Sequence, residues 1–161
     1  MTTPSLKLEA FTLAAPEGRT PEPLDILGQE CLVKLTNTDT NGAAAVFYLD
    51  APPMSGPPLH RHSRDDEWFY VLEGEVTLEV DGRRTVLYAG GSAFAPRGTA
   101  HTFQIFGPAG ARMLVMVTPG GFNQFFEALS ALNKPLPAPD FARTEQIMKD
   151  YGLVLLGPPL S

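Results

Sequence analysis

Between Glu67 and Tyr88 the chain alternates apolar and polar positions with the period of a β-strand. In Val76-Thr77-Leu78-Glu79-Val80 every second residue is apolar, as a strand with one buried face requires. Asp81-Gly82 follows, a dipeptide that favours a tight hairpin with positive φ, and Arg83 to Tyr88 returns as the partner strand. Ala43 to Leu49 is mixed in composition, but its Val-Phe-Tyr end and the preceding Asn41-Gly42 turn it toward strand. Ala111 to Thr118, bounded by Gly110 and Pro119, is a further apolar run. The 15 glycines and 16 prolines cut the chain into short segments of this kind, which predicts many short strands joined by turns.

The period changes after Gly120-Gly121. Phe122, Phe125, Phe126, Leu129 and Leu132 recur at helical spacing and predict one helix with an apolar stripe. That stripe is read as a helix covering the body of the protein; a ligand or partner groove is the other use for it. Pro135, Pro137 and Pro139 predict a stiff connector, and Asp140 an N-cap for a second helix through Met148, ended by Gly152. The picture is one all-β domain over residues 1–161, its core about residues 25–118, with a short C-terminal helical extension over about residues 121–161.

Charge and cysteine content narrow the possible roles. With 12 Lys plus Arg against 18 Asp plus Glu, the net charge is -6, so a nucleic-acid partner is not expected. Arg83-Arg84 is too small a basic patch to change that and reads as a solvated strand end. The one cysteine, Cys31, excludes an intramolecular disulfide and, beside Leu32 and Val33, reads as a small buried hydrophobe. Met1 to Lys7 lacks the apolar core of a secretory signal, and no stretch approaches the ~18 apolar residues of a membrane span. The expectation is a soluble, cytoplasmic protein with no membrane partner.

The chemistry gathers on the histidines. All three, His60, His62 and His101, fall at metal-ligand spacings. Two residues apart on a strand, His60 and His62 project from the same face and can offer two imidazoles to one ion. Glu67 opens the next strand and can add a carboxylate. Before His101 the loop Pro96-Arg97-Gly98 pairs a rigid residue with a permissive one, suited to a defined turn. Three nitrogens and one oxygen suit one divalent transition metal per chain, Fe, Mn, Co, Ni, Cu or Zn. With one or two coordination positions open the layout is that of a reactive centre, unlike a closed structural zinc site. Asp65 and Asp66 read as solvated rather than ligating.

These residues resemble the cupin family, β-barrel proteins with two sequence motifs. The first is met by His60-Arg61-His62, four residues, Glu67, six residues and Gly74; the second by Gly90, five residues, Pro96-Arg97-Gly98, two residues and His101. Two positions depart: Met54 stands where a glycine is expected, with Gly56 close by, and Ile105 replaces the closing asparagine. Neither is a ligand position. The resemblance implies a cupin (double-stranded β-helix, or jelly-roll) barrel, and selects Glu67 over the neighbouring aspartates as fourth metal ligand. It also implies a homodimer paired through sheet edges, to which the segment from Lys7 to Leu13 could contribute. Thr118-Pro119-Gly120-Gly121-Phe122 and the ending Tyr151 to Pro159 resemble stand-alone bacterial cupins grouped near quercetin dioxygenases.

Strand parity proposes a pocket. With Glu67 inward, Phe69 and Val71 follow; with His101 inward, Phe103 and Ile105 follow. Phe47 or Tyr48, and Met113 or Met116, complete an apolar interior, Phe47 and Met113 being the candidates carried forward. Such a pocket suits a small, partly apolar ligand with one or two oxygen atoms for the ion, although aromatics also simply fill small barrels. Three functions compete: a metal-dependent dioxygenase with Glu67 as catalytic base, a metal-dependent isomerase or lyase using the same base without oxygen, and a non-catalytic metal-dependent binding protein.

Overall fold

The computed structural model describes residues 8–132 and 141–161. The expected connector Pro135, Pro137 and Pro139, its Asp140 cap, and Met1 to Lys7 lie outside the described residues. In chain order the strands are β1 Leu24–Ile26, β2 Gln29–Leu35, β3 Ala45–Ala51, β4 His60–His62, β5 Asp66–Val80, β6 Arg83–Tyr88, β7 Ser92–Ala95, β8 His101–Gln104 and β9 Ala111–Thr118. Helices α1 Phe122–Leu132 and α2 Phe141–Asp150 follow, then a last strand, β10 Leu153–Leu155.

All pairings are antiparallel and the sheet curls on itself into the expected jelly-roll barrel. The fifteen-residue strand β5 serves both halves. Its first part lies between β9 and β7 in the order β1-β2-β3-β9-β5-β7. Its second part lies between β6 and β8, in the order β6-β5-β8-β4-β10. The register slips between Val71 and Glu73, where the strand turns the corner. Gly74, the last glycine of the first motif, sits there with φ of +82°. A Cβ on it would meet the Gly110 carbonyl oxygen at 2.4 Å and the Ala111 Cα at 2.9 Å. Only glycine tolerates both that φ and that approach.

Alternation in sequence becomes alternation in burial. In β3, Ala45, Phe47, Leu49 and Ala51 are buried and the residues between them are half-buried. Glu67, Phe69 and Val71 are all inward on β5, as parity predicted. Each fully buried large apolar side chain of this kind contributes about 1.5–3 kcal/mol. The Asp81-Gly82 turn forms as expected, with φ of 52° and 72°. Cys31 is fully buried, and burial pushes its thiol pKa up, consistent with an inert packing role.

Helix α1 lays its stripe on the barrel: Phe122, Phe125, Phe126, Leu129 and Leu132 are buried. Two polar side chains on it act as hooks. Asn123 Oδ1 accepts the Asn37 N–H at 3.0 Å, and Ser130 Oγ accepts the Asp25 N–H at 3.0 Å. α2 ends as expected at Gly152, which takes a φ of +81°. Beyond it the extension is not helical. Leu153–Leu155 form β10 against β4, in the register Leu153 with His62 and Leu155 with His60. No helix among the described residues is long and apolar enough to cross a membrane.

The corner at Gly74 yields the first prediction. Gly74→Ala combines a left-handed backbone with a backbone clash and should cost at least about 2 kcal/mol of unfolding free energy. Gly82→Ala, whose added Cβ would meet nothing within 4 Å, should cost only about 1 kcal/mol. Urea denaturation of the two variants checks the difference.

Candidate metal centre

Three elements bring the site together. On β4 the burial alternates, with His60 and His62 inward and Arg61 exposed. Glu67 is the second residue of β5. His101 opens β8 directly opposite His60 in the ladder. The ring centroids lie 4.5 Å apart for His60–His101 and 5.2 Å for both His60–His62 and His62–His101. One ligand atom from each of His60, His62, Glu67 and His101 lies within 4.8 Å of all the others, and all four residues are buried. Two ~2.1 Å bonds directly opposite one another on an ion would span about 4.2 Å, so binding requires inward adjustments of only a few tenths of an ångström.

The outer nitrogens decide which inner ones are free. His60 Nδ1 lies 2.7 Å from the Pro58 carbonyl oxygen, and His101 Nδ1 lies 2.9 Å from that of Thr99. A ring nitrogen facing a carbonyl must carry the proton and donate it, which leaves Nε2 as the inward lone pair. His101 Nε2 faces Glu67 Oε2 at 2.8 Å, a hydrogen bond that needs a proton between them until an ion takes its place. His62 Nε2 lies 3.1 Å from the same oxygen but is out of line with it, and neither of its buried ring nitrogens has a hydrogen-bond partner. Asp65 Oδ2 sits 3.8 Å from His62 Nδ1, an ion-pair distance too long for a hydrogen bond. Buried lone pairs and a carboxylate aimed at one point, with a ring nitrogen left unpartnered, fit a cation. These four residues could hold one metal ion.

The electrostatics of the metal-free site follow. Burial lowers the His60 pKa to about 4, helped by the neighbouring His101 and against the pull of Glu67. Burial is the largest influence on His62 and opposes its charge, but the Glu67 and Asp65 carboxylates together outweigh it and raise the ring to about 9. Burial works against the Glu67 carboxylate too, yet His62 and His101 hold its pKa well below the usual range. The resting site is therefore a buried His62–Glu67 ion pair beside a neutral His60.

The loop before His101 is anchored rather than free. Gly98 takes a φ of +83° and its N–H donates to the His62 carbonyl at 2.7 Å. Asp66, read as solvated rather than ligating, stays outside the four-residue cluster and, near the surface, receives both the Arg97 guanidinium, at 2.8 and 3.0 Å, and the Arg97 backbone N–H at 2.9 Å. Those hydrogen bonds pull its pKa down to about 2. Asp66 thus ties the strand that carries Glu67 to the loop that carries His101.

A cavity of about 490 Å3 opens over the four residues. Of the proposed pocket residues, Phe69 and Phe103 line it. Phe47, Val71, Ile105 and Met113 are fully buried but not in its wall. Phe126 packs edge-on to Phe47 at 4.7 Å, with Phe122 at 6.1 Å, which places α1 between Phe47 and the cavity. Val71 and Met113 pair across the ladder beside the β5 corner and fill the interior there. The wall that sequence reasoning missed comes from the extension: Phe122, Phe125, Phe126 and Leu129 of α1, with Met148, Leu153 and Leu155. Phe122 stacks on His62 at 4.9 Å. The helical stripe was the available signal; it covers the barrel and lines the cavity at once.

A curled antiparallel barrel carrying three histidines and a carboxylate on its inner wall defines a metal-site β-barrel. Residues 47–117 match the family model described as Cupin domain. Over 91 residues the chain is 30% identical to the quercetin 2,3-dioxygenase of Bacillus subtilis, which covers 56% of this chain and 27% of that protein. Over 77 residues it is 27% identical to the oxalate-binding protein of Thermotoga maritima, covering 48% of this chain and 64% of that one. It thus spans less than two-thirds of the length of either relative. Among solved structures, an RmlC-like cupin from Shewanella frigidimarina superimposes with a TM-score of 0.59 at 26% identity, over 72% of this chain and 96% of that one. Residues 47–117 are a Cupin domain by that match, and the barrel built around them is a cupin fold.

The His62 pKa sets how metal uptake depends on pH. At about pH 7.5 metal-free His62 holds a proton that an incoming ion must displace, so uptake should release at least about one proton. The release should fall away, and affinity stop rising, as pH climbs through the His62 value of about 9. Calorimetric titration with zinc in buffers of different ionisation enthalpy checks both.

Proposed function

We propose that this cupin is a metal-dependent dioxygenase acting on a small, largely apolar organic substrate, in the manner named for its Bacillus relative. The observation that carries the reading is the cavity itself, with a mostly hydrophobic and aromatic wall directly over the metal-facing groups. Among the described residues no lysine or arginine lines it. A small dianion or a sugar phosphate would need such cations to offset its charge. An aromatic or diketone-like molecule with one or two oxygens for the ion fits the wall instead.

A bound transition metal supplies a Lewis acid for the substrate's oxygen and a place for oxygen chemistry. The protein's part is to position and deprotonate. Phe69, Phe103 and Phe122 clamp an apolar body against the site and keep water from it. Glu67, buried and ionised, takes the proton from the substrate's hydroxyl. The Nδ1 hydrogen bonds of His60 and His101 keep two of the rings in position.

The homodimer belongs to the same proposal. On the outer face of the sheet Trp68 is flanked in the ladder by Phe94 and Met116, and stacks on Tyr70 at 5.6 Å. Phe94 is 57% exposed in the single chain. A continuous apolar strip of this kind suits cover by a second copy, and gel filtration should give twice the 17.4 kDa chain mass.

Protein loaded with iron or manganese should consume oxygen over a panel of flavonols and β-diketones. Glu67→Gln should lower turnover by about 10²-fold or more. An oxygen electrode follows both, and conversion of a panel substrate under strict anaerobiosis would instead favour isomerase or lyase chemistry.

A further inference from the structure

The cavity extends well beyond the metal centre. Helix α1 lines it with Phe122, Phe125, Phe126 and Leu129, one face of the helix. The helix starts with Phe122 on His62 and reaches, through Ser130, the backbone of β1. Its eleven residues make it about 16 Å long. The metal-facing groups therefore stand toward one end of the cavity and the β1–β2 hairpin toward the other.

That hairpin contributes Ile26, Leu27 and Gln29 to the wall. Its turn is rigid: Leu27 and Gly28 take φ of 53° and 84°, a pairing suited to a two-residue hairpin. Asp25 Oδ1 also accepts the Gly28 N–H at 2.8 Å. Gln29, the first residue after the turn, is 2% exposed, and its buried Oε1 has no hydrogen-bond partner. A carboxamide oxygen left unpaired in an apolar surrounding costs stability, and such groups are rare without a reason. Among the described residues, the other polar side chains in the wall, apart from the four metal-facing ones, are Thr144 and Glu145 on α2, and neither is buried.

We propose that Gln29 is the far recognition point of the cavity, accepting a hydrogen bond from a hydroxyl or N–H of an elongated, uncharged aromatic ligand whose opposite end presents its oxygens to the metal centre. This rests on the reading of the cavity as the substrate site, and adds a length and a second polar group to the substrate class. Two or three linked rings fill the span between the two ends. A molecule with oxygens at one end only leaves Gln29 unpaired.

Zinc-loaded protein tests this without turnover, because zinc has no redox chemistry of its own. The probes are 3-hydroxyflavone and analogues that add a single hydroxyl on the ring remote from the 3-hydroxyl, titrated by calorimetry. Wild type should bind the best hydroxylated analogue about tenfold or more tightly than the parent. Gln29→Leu should erase that preference while parent and zinc affinities stay within about twofold. Its thermal midpoint should hold or rise, since an unpaired buried amide has gone. Gln29→Glu, which keeps an acceptor oxygen, should keep the preference. A preference that survives in Gln29→Leu overturns the proposal. So does equal weakening of both probes with a lowered midpoint, which marks a structural role, or failure of wild type to bind either probe. Oxygen uptake by the iron-loaded protein is read separately: the preference without oxygen uptake upholds Gln29 and sinks the dioxygenase reading alone.

Discussion

A carboxylate and three imidazoles buried in an apolar barrel are the arrangement on which the rest of this molecule turns. Glu67, His60, His62 and His101 are between 1% and 6% exposed. Removing a charge from water costs several kcal/mol unless a partner of opposite sign compensates. Without metal, a proton on His62 supplies that partner for Glu67; with metal, the ion does. Either way one positive centre has to sit among these side chains, and the barrel is built to bring them around it. Strand β5 runs through both halves of the sheet to deliver Glu67, while β4 and β8 face each other through His60 and His101. Asp66 and Arg97 lock the remaining loop in place.

Much of this was legible in the chain. Period-two alternation located β5, the Asp81-Gly82 turn returned β6 against it, and the apolar run between Gly110 and Pro119 located β9. With Glu67 inward, parity placed Phe69 and Val71 on the same face. The histidines were legible because histidine is scarce here and every copy falls in a recognisable spacing, whereas Glu67 was chosen among the neighbouring carboxylates by the cupin resemblance. What escaped the reading was the outcome of long-range packing. Whether inward Phe47 lines a cavity or lies beneath another aromatic depends on where α1 lands, and no local pattern encodes that landing. The pairing of Asp66 with Arg97 was hidden because the two are 31 residues apart. Gln29 carried no motif, since its importance comes from a lack of partners.

The C-terminal extension shows how strongly the site depends on that packing. Strand β4 is three residues long, and its recorded ladder contact with β8 is the single pair His60–His101. Such a short strand has little hold of its own. β10 supplies three further pairs on its other edge, and the Ser63 N–H and hydroxyl both donate to the Gly152 carbonyl, at 2.8 and 2.7 Å. The tail therefore secures the strand that carries two of the ligands, and through Leu153 and Leu155 it also closes part of the cavity wall. An extension that looks like an appendage in sequence is, in the fold, a structural part of the metal centre.

Phe122 stacks on His62, packs against Phe125 and Phe126 at 4.9 Å, and belongs to the helix that lines the cavity. Phe125 in turn touches Tyr151, next to the Gly152 carbonyl that holds Ser63. A ligand that moves α1 therefore pushes on a metal-ligand ring from one side and on the support of its strand from the other. Interiors packed at this density transmit displacement instead of absorbing it. In this barrel the apolar wall and the four-residue cluster are one packed unit: the aromatic side chains that line the cavity are in contact with the residues that could hold a metal.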